Sequence, residues 1–469
     1  MTEIDLSSLF RFPAGVEKIL HALGEIGKPR IAGGAVRDAL LGKEPKDLDV
    51  EVFACEYDTL VDALQAFGRV DCVGRSFGVI KLRVGRKELD FAIPRTEKKV
   101  CGGHQGFEVY PDPYLEERVA AARRDFTINA ISWDPLEGRL IDPFGGVEDL
   151  RSGYLRHTSE AFAEDPLRVL RGFQFVSRFN LVVAPETLEL CRSMVDTFPE
   201  LARERVWMEW KKWICQARTP SLGIRFLKDT GWLRWFPELA ALDACPQDPE
   251  WHPEGDVLTH TACCMDALVN HEAWAHADES ARLYLGFAVL CHDFGKPATT
   301  EKVFKNGRER WVSPGHDQVG GPLAEHFLQE LTAPKALPRK VVPLVVNHMV
   351  AAQYQKKPSM AAIRRLARRL DPASIAELLL VIEADQRGRP PLSGEPSVGL
   401  RYLKQASSEL QMLNESPRPL VQGRHLIERG YTAGPHFGAW LEALFEHQLS
   451  GDFQDMEGAE FYIKQVCDK

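Results

Sequence analysis

Two glycines, an arginine and two aspartates one residue apart form the first chemically suggestive group in the chain. They lie in IAGGAVRDALLGKEPKDLDVEVF, residues 31–53. Gly33 and Gly34 permit close backbone approach and positive φ, and the amides that follow can form a nest for phosphate oxygens. A helix starting at about Ala35 adds its positive N-terminal end, and Arg37 on it offers a fork suited to phosphate or ribose. Asp47 and Asp49 stand at i and i+2 on a strand, so both carboxylates share one face. A divalent cation relieves their repulsion, and Mg²⁺ prefers a few carboxylates together with substrate phosphates. Taken singly, GG is a turn and DxD an exposed strand edge. Combined at this spacing, they point to metal-assisted phosphate chemistry.

A second group concentrates histidines between 256 and 388. It holds His260 in DVLTHTACCMDAL, His292 and Asp293 in VLCHDFGKP, His316 in SPGHDQVG, His348 in VVNHMV and Asp385 in IEADQRGR. One such histidine is usually an ordinary core or surface residue. A set of imidazoles with carboxylates suits Mn, Fe, Co, Ni or Zn, whereas Mg²⁺ prefers oxygen alone. A tandem His-Asp can supply one terminal ligand and one carboxylate bridging two metals, an arrangement that polarises phosphate esters.

The elements that must position these groups follow from periodicity. Helical spacing in AGVEKILHALGEIG closes a lead-in at Gly27. RIAGG reads as a strand, AVRDALLG as a short helix, DLDVEVFAC as a strand and YDTLVDALQAFG as a helix. FGVIKLRVGRKELDFAI reads as a hairpin turning at GRK. Residues 95–120 show no sustained period and read as a long irregular segment, of the kind that is functional or disordered. From about 158 the chain turns helical. CPQDPEWHPEGD breaks it before the histidine block, and RGRPPLSGEPS links that block to a helical tail of about 75 residues.

Bulk properties bound the classes. The 469 residues exceed one ordinary core, and 44% hydrophobic with 27% charged residues is a globular balance. A net charge of -9 argues against a uniformly basic nucleic-acid coat, though not against a local basic stripe. IRRLARRL (363–370) and RERVWMEWKKW (203–213) are candidate stripes, or simply solvated amphipathic helices. The ten cysteines show no CxxC pair and read as scattered reduced thiols of a cytosolic protein. MTEIDLSSLF lacks a signal pattern, and no apolar run approaches a membrane span.

GGAVRDALLG followed by DLDV resembles the signature of class II nucleotidyltransferases of the polymerase-beta superfamily, which comprise tRNA nucleotidyltransferases (CCA-adding enzymes) and bacterial poly(A) polymerases. RRDFTINAI (123–131), DPFGGVEDL (142–150) and EDPLRVLRGFQF (164–175) follow collinearly and are similar to the family's later motifs. The resemblance implies that Asp47 and Asp49 hold two Mg²⁺ ions, with Asp90 either a third carboxylate or a solvated strand residue. It implies that Gly34 and Arg37, beside Gly33, hold the triphosphate, that Arg124 contacts the nucleotide and that Asp125 meets the ribose. Arg123 and Arg124 could instead be a solvated basic pair, since both could not easily face one site. Asp165 and Arg168 would present a base-like edge to CTP or ATP, with Arg171 reaching phosphate. The same residues also suit a capped helix start with Pro166 in its first turn. The loop at 95–118, with GGHQGF at its centre, resembles that of full CCA-adding members, so a CC-only activity is not expected.

The histidine block resembles an HD-superfamily metal-dependent phosphohydrolase. That likeness implies His260, His292, Asp293 and Asp385 as core ligands, His316 and His348 completing a binuclear site, and Lys296 near a substrate phosphate. The metal expected there is Ni, Mn, Co, Fe, Zn or Mg²⁺, and the activity that of a phosphatase or 2′,3′-cyclic phosphodiesterase. Residues 419–453 resemble a C-terminal module that helps fix the tRNA elbow.

Together the resemblances imply an α+β fold. A polymerase-beta-like head at 1–157 is followed by all-α regions: a neck at 158–240, an HD domain at 241–390 and a tRNA-binding tail at 391–469. The expected partners are tRNA, CTP and ATP, with no DNA and no membrane, in a cytoplasmic monomer or homodimer. Related readings are an A-adding enzyme, a poly(A) polymerase, or a hydrolase whose head serves as an RNA-binding module.

Overall fold

The structure, a computed structural model, describes residues 15–45, 48–72, 78–84, 87–99, 107–305, 307–392 and 395–468. Asp47 and the centre of the expected loop, residues 100–106, lie outside the described residues. The chain divides into two compact units. One runs to residue 213 and takes in 222–232; the other has 214–221 and everything from 233. Among the described residues no helix is long and apolar enough to cross a membrane.

The first unit is built on β1 (Lys28–Ala32), β2 (Asp49–Phe53), β3 (Arg69–Asp71), β4 (Val79–Val84), β5 (Lys87–Ala92), β6 (Arg95–Lys99), β7 (Phe107–Pro111), β8 (Ser132–Asp134), β9 (Arg139–Ile141), β10 (Tyr154–Leu155) and β11 (Val182–Val183). Seven of these form one sheet in the order β3-β4-β5-β2-β1-β8-β9. Within it β2 and β5 run parallel, while β1 is antiparallel to both β2 and β8. Alternation in DVEVF sends Val50 and Val52 into the core, against Val36 and Ala39 of the Gly34–Leu40 helix. It thereby leaves Asp49 and Glu51 on the opposite face.

Within the segment 95–120, expected to be irregular, Arg95–Lys99 and Phe107–Pro111 instead form an antiparallel ladder in which Arg95 of β6 pairs with Pro111 of β7 and Lys99 with Phe107. RTEKK contains no apolar residue, so hydrophobic alternation could not reveal this strand.

DPFGGVEDL builds a capped turn. Asp142 accepts from the amides of Gly146 and Val147, at 2.7 and 2.9 Å, and so satisfies the first turn of the Gly146–Ser152 helix. Asp149 of that helix accepts a 2.7 Å hydrogen bond from Thr127 Oγ1, which fixes the segment carrying RRDFTINAI. The neck helix Leu167–Phe179 packs Phe173 against Trp210 and Trp213, and the Trp213 indole N–H donates to Ser177 Oγ at 3.0 Å.

In the second unit the helices Val257–Val269, Glu279–Cys291, His316–Glu330, Ala336–Asn347 and Ile375–Arg387 carry the histidine block. Asp256 and Asp278 cap the first two, and Ser374 with Glu377 makes a reciprocal capping box on the last. Glu279–Cys291 is apolar over most of its surface because it runs through the middle of the unit. A hairpin, β12 (Glu301–Lys305) and β13 (Arg308–Val312), interrupts a stretch expected to be helical. Its signal was the Asn-Gly pair at 306–307 between β-prone runs.

The candidate basic stripe IRRLARRL is not a free basic surface. Arg365 and Arg368 bond Glu446 at 3.1 and 2.6 Å, Arg368 also bonds Glu442, and Arg369 reaches Asn347. Arg365 and Arg368 fasten the Met360–Leu370 helix to His436–Ser450, whose acidic residues lie some 75 positions downstream and do not show in a local charge count. Beyond it the tail keeps a small core of its own around Leu426, Phe437, Leu444 and Ile463.

Asp142→Ala removes two acceptors from a helix start and is expected to cost about 1–2 kcal/mol, whereas Asp142→Asn retains most of the stability. The midpoint of the first unit's thermal transition measures the difference.

Candidate functional site

The parallel register pairs Asp49 of β2 with Asp90 of β5, and the antiparallel register pairs Asp90 with Lys81 of β4. Paired residues share a face, so two carboxylates stand side by side on neighbouring strands, whose spacing is about 4.8 Å. Lys81 Nζ lies 3.6 Å from Asp90. Glu51, two residues after Asp49 on the same face, is buried and meets both Arg124, at 2.8 Å, and Arg123, at 3.1 Å, through one oxygen. The two arginines therefore do converge. They leave the end of the short Glu117–Ala122 helix on long arms that reach one shared anion. Glu51 was overlooked in the sequence, although D-x-D-x-E spacing puts it in line with the two aspartates.

Gly33 sits at φ 70°, ψ −127°, conformationally open to glycine and hard for other residues. A Cβ there would stand 2.5 Å from Arg124 Nη1, so the glycine turn and this arginine are direct neighbours. Gly34 opens a seven-residue helix whose Arg37 is 4% exposed. Its guanidinium donates to Asp38 and, at 2.5 Å, to Asn129 Oδ1, and it lies over the Phe179 ring at 4.5 Å.

From Asn129 the bonding continues into the neck. Asn129 Nδ2 donates to Asp125 Oδ1 at 2.9 Å, and Arg171 Nε donates to Asp125 Oδ2 at 2.6 Å. Arg168 donates to the carbonyls of Ala161 and Arg123, both at 2.6 Å. Asp165 accepts from the Leu167 amide at 3.0 Å and from Arg205 at 2.8 Å, so it caps the helix start as well as standing beside Arg168. Burial pushes the Asp125 carboxyl up, but the Arg171 charge and the hydrogen bonds it accepts outweigh that and hold it below its ordinary range. Glu51 behaves alike: desolvation is overcome by Arg124 and Arg123.

In the second unit all six expected ligand residues come together. Asp293 is the centre. Its Oδ2 lies 3.1 Å from His292 Nε2 and 3.7 Å from His260 Nε2, and its Oδ1 lies 3.3 Å from His316 Nε2 and 3.9 Å from His348 Nε2. Asp385 Oδ1 is 3.2 Å from His260 Nε2, and Lys296 Nζ is 2.7 Å from Asp293 Oδ2. The histidines are oriented from behind. The Nδ1 of His292, His316 and His348 each meets the main-chain oxygen three residues earlier, at 2.7 Å, while that of His260 meets Glu254 Oε1 at 2.7 Å. An Nδ1–H given to these oxygens leaves each Nε2 as a lone pair facing inward.

That arrangement fits a metal centre. Two inward lone pairs, on His316 and His348, face each other at 3.2 Å and call for a cation between them. His292 Nε2 is buried without a hydrogen bond among the described residues. The Asp293–His316–His348 donors lie within 4.8 Å of one another, as do those of His260, His292 and Asp385 together with Cys264. A cavity of about 630 Å³ opens over the cluster, lined by Gln247, Trp251, His252, Lys296, Trp311 and Arg389. Arg389 holds Asp385 at 2.9 Å, and Glu254 also bonds His252. Glu254, His252, Arg389 and Cys264 were not singled out from sequence. The HPE and DQRGR runs adjoining the ligands were the available signal.

Residues 29–156 match the family model described as the poly A polymerase head domain, and residues 180–242 one described as a probable RNA and SrmB-binding site of polymerase A. The first unit thus contains a head domain of the nucleotidyltransferase class. A multifunctional CCA protein of Methylococcus capsulatus is 36% identical over 89% of this chain and 93% of its own. One from Halorhodospira halophila is 38% identical over 76% and 83%. The chain belongs to the family of multifunctional CCA proteins. Among solved structures, a Bacillus stearothermophilus CCA-adding enzyme in complex with CTP has a similar fold, with TM-score 0.65 and 20% identity, covering 97% of both chains. A Thermotoga maritima CCA-adding enzyme complexed with tRNA gives 0.60 at 19% identity, covering 99% of this chain and 98% of its own. The family's head implies dependence on a divalent metal.

Asp125 and Glu51 have folded-state pKa values below their unfolded ones, so their stabilisation is present above about pH 4 and lost as pH falls through the folded values. Asp125→Asn should therefore destabilise the first unit by about 1–3 kcal/mol near neutrality. The gap from the unmutated protein should narrow below about pH 4. Denaturation followed across pH measures both.

Proposed function

We propose that this chain adds CMP and AMP to the 3′ end of tRNA without a nucleic-acid template, from CTP and ATP, and that its histidine cluster is a separate metal-dependent phosphohydrolase. The first reading is supported by the glycine turn, Arg124, Glu51 and the Asp49–Asp90 pair gathering on one face of the sheet, in a chain of this family. Asp47 and Asp49 would hold Mg²⁺, with Asp90 the nearest further carboxylate. When bound, Mg²⁺ would activate the attacking 3′-hydroxyl and neutralise the departing pyrophosphate. Gly33, whose amide donates to the Ile131 carbonyl, shapes the turn, and Gly34 brings its main-chain amide to the triphosphate, with Arg37 and Arg124 beside it and Asp125 toward the ribose. Asp165 and Arg168 face the base and Arg171 a phosphate. A carboxylate has about four acceptor sites and a guanidinium five donors, so the contacts described above leave both Asp165 and Arg168 with capacity for a base edge.

The second reading rests on the four inward-facing Nε2 atoms around Asp293. His260, His292, Asp293 and Asp385 would hold one metal and Asp293, His316 and His348 another. The donor set favours Ni, Mn, Co, Fe or Zn, with Mg²⁺ less well matched. When bound, such ions would polarise a phosphate ester or a 2′,3′-cyclic phosphate. Lys296, on the cavity wall and 2.7 Å from Asp293, would meet the phosphate. In this reading residues 1–157 are the catalytic head, 158–240 the neck, 241–390 the hydrolase and 391–469 the tRNA-binding tail of a cytoplasmic enzyme.

Incubation with CTP, ATP and a tRNA lacking its 3′ end should yield a CCA terminus, and Asp49→Asn should lower the rate at least about a hundredfold. Incorporation of ATP only onto tRNA ending in CC would instead make it an A-adding enzyme, and long A tails on arbitrary RNA a poly(A) polymerase. No incorporation with hydrolysis intact would leave the head an RNA-binding module. Asp293→Asn should abolish hydrolysis of a 2′,3′-cyclic nucleotide while nucleotidyl transfer continues; loss of both together would contradict two independent sites.

A further inference from the structure

Cys264 lies one helical turn beyond His260, on the same face of the Val257–Val269 helix, and is fully buried. Its Sγ stands 3.3 Å from His260 Nε2, the nitrogen turned toward the ligand cluster, and 3.8 Å from the main-chain oxygen of Asp385. The chain at Gly388 packs directly on this turn: a Cβ there would lie 2.3 Å from Cys264 Sγ and 2.8 Å from its Cα and amide nitrogen, so only glycine allows the close approach. A second feature, independent of the thiol, points to a ligand at the same place. His292 is 1% exposed, and its Nε2, which stands 3.1 Å from the Asp293 carboxylate, makes no aligned hydrogen bond among the described residues. The donor atoms of His260, Cys264, His292 and Asp385 all fall within 4.8 Å of one another. Bonds of about 2.0–2.3 Å arranged in a tetrahedron set donors roughly 3.3–3.8 Å apart, so a small contraction brings these four onto one ion.

We propose that Cys264 is a donor to the metal position held by His260, His292 and Asp385, and that its sulfur makes this position selective for zinc, cobalt or nickel over Mg²⁺. The inference rests on the metal centre proposed above. On binding, the S–H bond is replaced by a sulfur–metal bond, the proton passes to solvent, and no oxidation state changes. The two halves of the centre then differ. One has two nitrogens, the Asp385 oxygen and a sulfur beside the Asp293 carboxylate that it shares with the other, a set that soft thiolate chemistry biases toward thiophilic metals. The other has Asp293, His316 and His348 on the cavity side, three donors and room for substrate.

The full chain, stripped of metal with a chelator and titrated with Co²⁺, tests this by absorption. Visible d–d bands report that cobalt is bound, and a near-ultraviolet thiolate-to-cobalt charge-transfer band reports sulfur ligation. Both bands are expected in the unmutated protein. Cys264→Ser and Cys264→Ala should each lose the charge-transfer band while keeping the visible ones, and cobalt should weaken at least about tenfold relative to Mg²⁺. Visible bands without a charge-transfer band in the unmutated protein would overturn the role of Cys264 and leave the metal centre standing. A charge-transfer band that persists in both variants overturns it too, because another thiol is then the ligand. If no cobalt binds, the metal centre and the role of Cys264 fall together. Should Cys264→Ala fail to fold, Cys264→Ser and the unmutated spectrum still decide the matter.

Discussion

A buried charge has to be matched where it stands, and both units of this protein are organised by that requirement. In the first, Asp125 is enclosed and charged, so Arg171 from the neck and Asn129 from the head must reach it. That obligation ties the glycine-turn helix, through Arg37 and Asn129, to the helix carrying Asp165 and Arg168. The glycine-turn helix and the Leu167–Phe179 helix are thereby held in one register by a single carboxylate. In the second unit Asp293 has the same standing, facing Lys296 on one oxygen and His316 on the other. Burial pushes its carboxyl up, but His292 and Lys296 hold it well below the usual range. Hydrophobic packing gives each unit its body; these charges decide how the working elements are aimed.

Much of this was legible in the residues, and the failures have identifiable causes. The strand–helix–strand around Gly33 and Gly34 was readable because apolar alternation and glycine punctuation agree there. The six metal-type ligands were readable because their residue types are chemically unusual together, even though over a hundred positions separate His260 from Asp385. Charged strands were not readable: β6 offers no apolar residue to set a period. Pairing across distance was not readable either. Nothing local announces that Arg365 and Arg368 meet Glu446, or that Arg123 and Arg124 share Glu51, since those partners are chosen by the fold. Single-sequence reading finds what a residue can do and misses which partner has already claimed it.

The two proposed chemistries make opposite demands on their surroundings. The Asp49–Asp90 face is an oxygen-only set at the exposed end of a strand, suited to an ion that arrives and leaves with a nucleotide. The Asp293 cluster is nitrogen-rich and enclosed, suited to ions that stay. In the proposed reading one chain would thus carry two kinds of metal site, one of oxygens and one rich in nitrogen.

The way the histidines are held has a consequence for how this protein can change over time. His292, His316 and His348 each hang on a carbonyl three positions earlier in the chain, so orientation is encoded within four residues and needs no distant side chain. Each is a self-contained cassette. Walls of the cavity above them, such as Trp251 and Trp311, are therefore at liberty to drift. A lineage could exchange one phosphate ester for another there while the aim of the ligands stayed as it was.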